Sequence, residues 1–123
     1  MFCLNDSMRY WLYPYPADMR KSFYTLTGII TERMCRDVRN GEVFIFVNRT
    51  CTCMKLLHME SGGLVIYHMK LEEGTFSMPV FDEHDTSCTY SLTWQNLMFI
   101  VEGIDPQKCT RRKRWKNPQF IEK

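Results

Sequence analysis

Residues 43–47, Val43-Phe44-Ile45-Phe46-Val47, are apolar at every position and rich in β-branched and aromatic side chains. The run is short and bounded by turn signals, Asn40-Gly41 before it, so it predicts a central strand. Downstream, 54–59 and 64–70 read as two more strands, with Ser61-Gly62-Gly63 between them as a hairpin loop. Glu72-Glu73-Gly74 makes the next turn, and 75–78 reads as a fourth short strand ended by Pro79. Four β segments joined by tight turns predict an antiparallel meander.

Upstream, the aromatic stretch 8–13 predicts one further short strand, stopped by Pro14 and Pro16. Pro16-Ala17-Asp18 then opens a helix, with Asp18 at the positive end of its dipole. Met19, Phe23, Leu26, Ile30 and Met34 lay one apolar stripe along it. Gly28 interrupts this run, which marks either a close approach to the sheet or an early helix end. Residues 81–90, with Asp82, Glu83, His84 and Asp85, read as an acidic loop. A second helix follows over 93–102, capped by Ser91 or Thr93 and closed by Gly103. The predicted class is α+β: an antiparallel meander of four to five strands, with one helix or both covering one sheet face.

The chain has 123 residues, 45% of them hydrophobic and 24% charged, which predicts one folded domain rather than a disordered chain. The net charge of +2 conceals an asymmetry. Residues 1–105 carry nine Lys/Arg against thirteen Asp/Glu, and 106–123 carry seven against one. The expected division is a single α+β domain over 1–105 and a flexible basic tail over 106–123, suited to an anionic partner. No apolar run approaches the ~20 residues of a membrane-spanning helix. The first residues show no basic stretch followed by an apolar one, so the expected compartment is the cytoplasm, with the six cysteines reduced.

Cys51, Cys53, His58, His68 and Cys88 offer the ligand types of a tetrahedral zinc site, but the spacing argues against one. Cys51-Thr52-Cys53 is not a zinc-knuckle spacing, and on a strand Cys53 and His58 point to opposite faces. No catalytic-cysteine context and no Gly-x-Ser-x-Gly elbow is present. Ser61-Gly62-Gly63 is too short for a phosphate loop. Asp82, Glu83 and Asp85 lack the rigid support that two-metal chemistry needs. The sequence therefore predicts no catalytic residue, no metal site, no cofactor and no small-molecule substrate. The tail has two readings: a nucleic-acid contact segment in which Arg111, Arg112, Lys113, Arg114 and Lys116 neutralise phosphates and Trp115 stacks on a base or sugar, or a solvated tail that only aids solubility. Arg20 and Lys21 stand near a helix start, where the dipole disfavours cations, which points either to an intramolecular salt bridge, for instance to Asp18 or Glu72, or to a carboxylate or phosphate of a partner.

Several segments together resemble a known family. They are Met1-Phe2-Cys3-Leu4-Asn5 with Met8-Arg9-Tyr10, Asp18-Met19-Arg20-Lys21, Asn48-Arg49, Met54-Lys55-Leu56-Leu57-His58, Glu60-Ser61-Gly62-Gly63, Leu71-Glu72-Glu73-Gly74-Thr75-Phe76 and Val101-Glu102-Gly103-Ile104. In this order they resemble the short accessory protein TnpB of insertion sequences of the insertion-sequence-66 type. The resemblance covers roughly residues 1–105. It implies a non-enzymatic accessory role in bacterial transposition, a DNA recombination in which a separate, larger transposase performs the chemistry. It also implies DNA at the element ends, the transposase and a further accessory protein as partners. Thr50-Cys51-Thr52-Cys53 stands where the family has a basic run, and Met69-Lys70 where it has Lys-Arg. These departures shift the expected DNA contact toward 111–116. The candidate contacts are Arg20, Lys21, Arg49, Lys55 and Lys70 on the domain, with Arg111, Arg112, Lys113, Arg114 and Lys116 in the tail. The alternative reading is a protein–protein adaptor anchored by Trp11, Tyr13 and Tyr15.

Overall fold

The run Val43–Val47 (β2) is buried at all five positions because both of its faces are covered. The computed structural model describes residues 4–81, 86–106, 108 and 110–118. Its elements before β2 are β1 (Tyr10–Leu12), α1 (Phe23–Glu32) and a 3-10 turn at Val38–Asn40. After it come β3 (Cys53–Glu60), β4 (Gly63–Lys70), β5 (Tyr90–Leu92), α2 (Trp94–Glu102), β6 (Ile104–Asp105) and β7 (Thr110–Arg111). The main sheet has the order β4-β3-β2-β1-β5, with β2 at its centre, and β6 and β7 form a separate pair. The class is α+β, as expected.

Alternation along the strands builds two cores. Phe44, Phe46 and Leu57 pack with Leu26, Ile30 and Met34 on the α1 side. Val43, Ile45 and Val47 pack with Leu56, Leu97 and Ile100 on the α2 side. The helices therefore cover opposite faces, where one covered face was expected. The strands β2, β3 and β4 are consecutive and antiparallel, but β1 runs parallel to β2. A parallel neighbour requires a crossover, and α1 supplies it. β5, between the expected loop ending at Tyr90 and the second helix, was not anticipated; it closes the far edge by pairing antiparallel with β1.

Turn chemistry accounts for the local detail. Ser61 (φ +49°) and Gly62 (φ +81°) form a two-residue loop of the type favoured in hairpins, and Gly63 joins β4. Thr93 caps α2, its hydroxyl accepting from Asn96 N at 3.1 Å, and Gly103 ends it at φ +73°. α1 starts later than the sequence suggests, at Phe23 after Ser22. Asp18 bends the chain first: its carboxylate accepts from Arg20 N at 2.9 Å and its carbonyl from Lys21 N at 3.0 Å. Gly28 marks neither a close approach nor a helix end, for α1 runs on to Glu32 and a Cβ at Gly28 would meet nothing within 4 Å. Gly28→Ala is therefore expected to stabilise the fold by about 0.5–1 kcal/mol through helix propensity alone. Urea unfolding checks this, and an unchanged or lower midpoint contradicts it.

Residues 75–78 do not form the fourth meander strand. Phe76 turns into the α2-side core at 1% exposure, its N–H bonds to the Cys51 carbonyl at 2.7 Å, and Ser77 N bonds to the Ile100 carbonyl at 3.3 Å. Those backbone groups are thus taken by the 48–52 turn and by α2 rather than by β4. Where a free tail was expected, 110–114 lies on the domain: β7 pairs with β6, and Arg112 N donates to the Gly103 carbonyl at 2.8 Å. The expected boundary at 105/106 is crossed by this pairing. The acidic cluster of residues 82–85 lies outside the described residues.

Candidate nucleic-acid interface

One end of the sheet gathers the candidate domain cations Arg20, Lys21, Arg49 and Lys70. The pairs Val47 with Met54 and Cys53 with Lys70 bring the end of β2, the start of β3 and the end of β4 to the same level. The 48–52 turn between β2 and β3 is fixed by Asn48, whose Oδ1 accepts from Thr52 N at 2.9 Å and Cys53 N at 3.0 Å. Arg49 stands exposed in this turn, and Lys70 is exposed at the end of β4. Ala17 N donates to the Val47 carbonyl at 2.9 Å, so the approach to α1, with Arg20 and Lys21, lies at this end too.

These cations differ in availability. Arg20 is clamped by Asp18, with NH2 to Oδ2 at 2.8 Å and Nε to both oxygens at 3.1 Å. The side-chain bond from Arg20 is the main cause that lowers the Asp18 carboxyl to about 2. Lys21 is exposed, and its carbonyl accepts from Lys55 Nζ at 2.6 Å. Lys55 corrects the expectation that it meets a partner: it is 8% exposed, because β3 is paired on both sides and the approach to α1 closes over it. Its ammonium ties that approach to the sheet.

The basic segment meets the domain near the same end, since Thr75 and Phe76 adjoin Cys51 of the 48–52 turn. The Arg114 guanidinium forks two main-chain carbonyls: NH2 donates to Val101 O at 2.9 Å and NH1 to Thr75 O at 2.9 Å. It also stands 5.8 Å from the centre of the Phe76 ring. Desolvation on docking pulls its pKa down from the ordinary arginine value. Arg112 NH1 donates to Thr75 Oγ1 at 2.9 Å, and Arg111 faces Glu102 at 3.8 Å. Lys113, Trp115 and Lys116 are exposed. Of the aromatic anchors expected for an adaptor, only Tyr15 is exposed. Tyr13 is buried in the α1-side core, and Trp11 is half-buried under Arg36.

Two polar networks escaped the sequence reading. Glu42 accepts from Trp11 Nε1 at 2.8 Å and from Arg36 Nε and NH2 at 3.2 and 3.1 Å. His58 bridges the Gly41 carbonyl at 3.0 Å and Glu60 at 3.2 Å, and Tyr67 also donates to Glu60. Both brace the start of β2 and join residues far apart in sequence, so no local pattern announces them. Among the described residues, no group of three or more His, Cys, Asp or Glu is placed to hold a metal ion. A cavity of about 310 Å³ between 77–80, β5 and the end of α2 is lined by none of the ten candidate cations. Among the described residues no helix is long and apolar enough to cross a membrane.

The chain is similar to two curated proteins of Sinorhizobium fredii (strain NBRC 101917 / NGR234). It is 22% identical to the uncharacterized protein y4hO over 94% of this chain and 89% of the relative. It is 21% identical to the uncharacterized protein y4jC over 86% of each. No solved structure matches it. The family model described as IS66 Orf2 like protein matches residues 8–111, which takes in both helices, the whole main sheet and the β6–β7 pair. The chain belongs to this IS66 Orf2-like family, the short accessory proteins of insertion-sequence transposition.

Proposed function

We propose that this chain is a non-enzymatic accessory protein that binds DNA at the element ends in the cytoplasm and docks on the transposase complex. The observation that carries the reading is the convergence at one end of the sheet. There Lys21, Arg49 and Lys70 stand exposed, and the basic segment adjoins the same turn. Such a surface supplies phosphate anchoring with little base reading. In fluorescence anisotropy on a duplex of the element's terminal sequence, log affinity falls with log salt at a slope of about −4, for roughly four to five neutralised phosphates. A flat salt dependence, or no binding at low salt, refutes the DNA reading.

A protein-docking reading has its own support. Tyr24 is 94% exposed and Phe23 is 44% exposed at the start of α1 beside Arg20 and Lys21, and exposed aromatics with cations favour protein partners. Pull-down of the transposase and the further accessory protein, with and without nuclease, separates the two. Capture that survives nuclease and is lost in Tyr24→Ala supports direct docking.

A further inference from the structure

Residues 110–116 lie along the domain as a strap: Thr110 and Arg111 pair with β6, and Arg112 N bonds to the Gly103 carbonyl. Arg114 is partly buried, its guanidinium on the Thr75 and Val101 carbonyls, and Arg112, itself exposed, is tied down by its bond to the Thr75 hydroxyl. The strap backbone passes over two glycines at positive φ, Gly74 (+84°) and Gly103 (+73°). A Cβ at Gly74 would overlap the Lys113 carbonyl, and one at Gly103 would lie 2.9 Å from the Arg114 guanidinium. Glycine at these places is thus what lets the strap seat. Arg111, Lys113, Trp115 and Lys116 are exposed, and none of the four bonds to Thr75 or Val101 through its side chain as Arg112 and Arg114 do.

We propose that this strap is a nucleic-acid-tracking edge. Arg111, Lys113 and Lys116 hold phosphates and Trp115 stacks on a base or sugar, while Arg112 and Arg114 are positioning residues that touch no phosphate. The assignment rests on the DNA reading above and divides the five tail cations into two roles. Cations two residues apart on an extended chain stand roughly 6.6 Å apart. One DNA strand rises about 3.4 Å per nucleotide, so Arg111 and Lys113 match a span of about two nucleotides along one strand, with Lys116 further along it. Docking orders the backbone before the ligand arrives and so lowers the entropic cost of binding. The Arg111–Glu102 contact does not oppose this, since both side chains are more than half exposed and such pairs exchange readily.

The test uses full-length protein and two readouts: anisotropy on the element-end duplex, and the rate of trypsin cleavage within 111–116 read by mass spectrometry. In the double variant Lys113→Ala/Lys116→Ala, cleavage after Arg111, Arg112 and Arg114, the sites it retains, is expected to be as slow as in wild type. The same variant should weaken binding about tenfold and make the salt slope shallower by about 2. Arg111→Lys conserves a phosphate contact and should bind within about twofold of wild type. Arg114→Lys conserves charge but loses the planar fork on two carbonyls, so trypsin cleavage should accelerate and affinity fall about fivefold. An Arg114→Lys chain that binds and resists trypsin like wild type overturns the positioning role. Wild-type binding that the double variant leaves unchanged overturns the contact assignment alone. A wild type that binds no DNA overturns the DNA reading and the contact assignment together, with the trypsin readout still reporting whether Arg114 seats the strap.

Discussion

Phe76→Ala lowers the stability of this chain by about 3–5 kcal/mol, the range for deleting a fully buried phenylalanine. The ring is 1% exposed in the core formed with Val47, Leu56, Leu97 and Ile100. Collapse of the resulting cavity is hindered because the backbone is tied on both sides, at Phe76 N to the 48–52 turn and at Ser77 N to the end of α2. Urea unfolding followed by circular dichroism is expected to show a much lower midpoint with an unchanged slope. A loss below about 1 kcal/mol would mean that the Phe76 side chain does not fill this core.

Glu42→Gln costs about 1–2 kcal/mol at neutral pH, because Arg36 is left without its carboxylate while the amide still accepts from Trp11. The figure stays low because the Arg36 side chain is 29% exposed and water compensates part of the loss. Burial pushes the Glu42 carboxyl up, but the Arg36 and Trp11 bonds outweigh it and hold the group below its ordinary 4.5. A depressed folded pKa contributes stability that is present above the unfolded value and is lost as pH falls through the folded value. The difference between wild type and Glu42→Gln should therefore be constant from neutral pH down to about 4.5 and shrink below it. Urea midpoints across that range check this, and a difference that grows on acidification contradicts it.

The legible parts of the fold were those with local causes. Val43–Val47 announces a strand buried on both faces, and Ser61-Gly62 supplies the positive φ of a tight hairpin. Thr93 and Gly103 mark the two ends of α2. The start of α1 was misplaced because Asp18 satisfies Arg20 N in a turn, an alternative that short polar side chains offer the backbone. The candidate site was legible as charge and only partly as geometry. Arg49, Lys70, Lys113 and Lys116 are exposed as their type suggests, whereas Lys55 and Arg114 are drawn inward by carbonyls distant in sequence.

Composition, turn chemistry and ordered motifs by themselves determined the α+β class, the β2–β3–β4 run and the IS66 Orf2-like membership, since each depends on windows of a few residues or on their order. Only the tertiary structure decided that β1 lies parallel to β2, that the helices cover opposite faces, that Phe76 fills the core and that the basic segment is seated on Gly74 and Gly103. These outcomes turn on which surfaces and carbonyls come to face one another after the chain has crossed itself, and no local pattern carries that information.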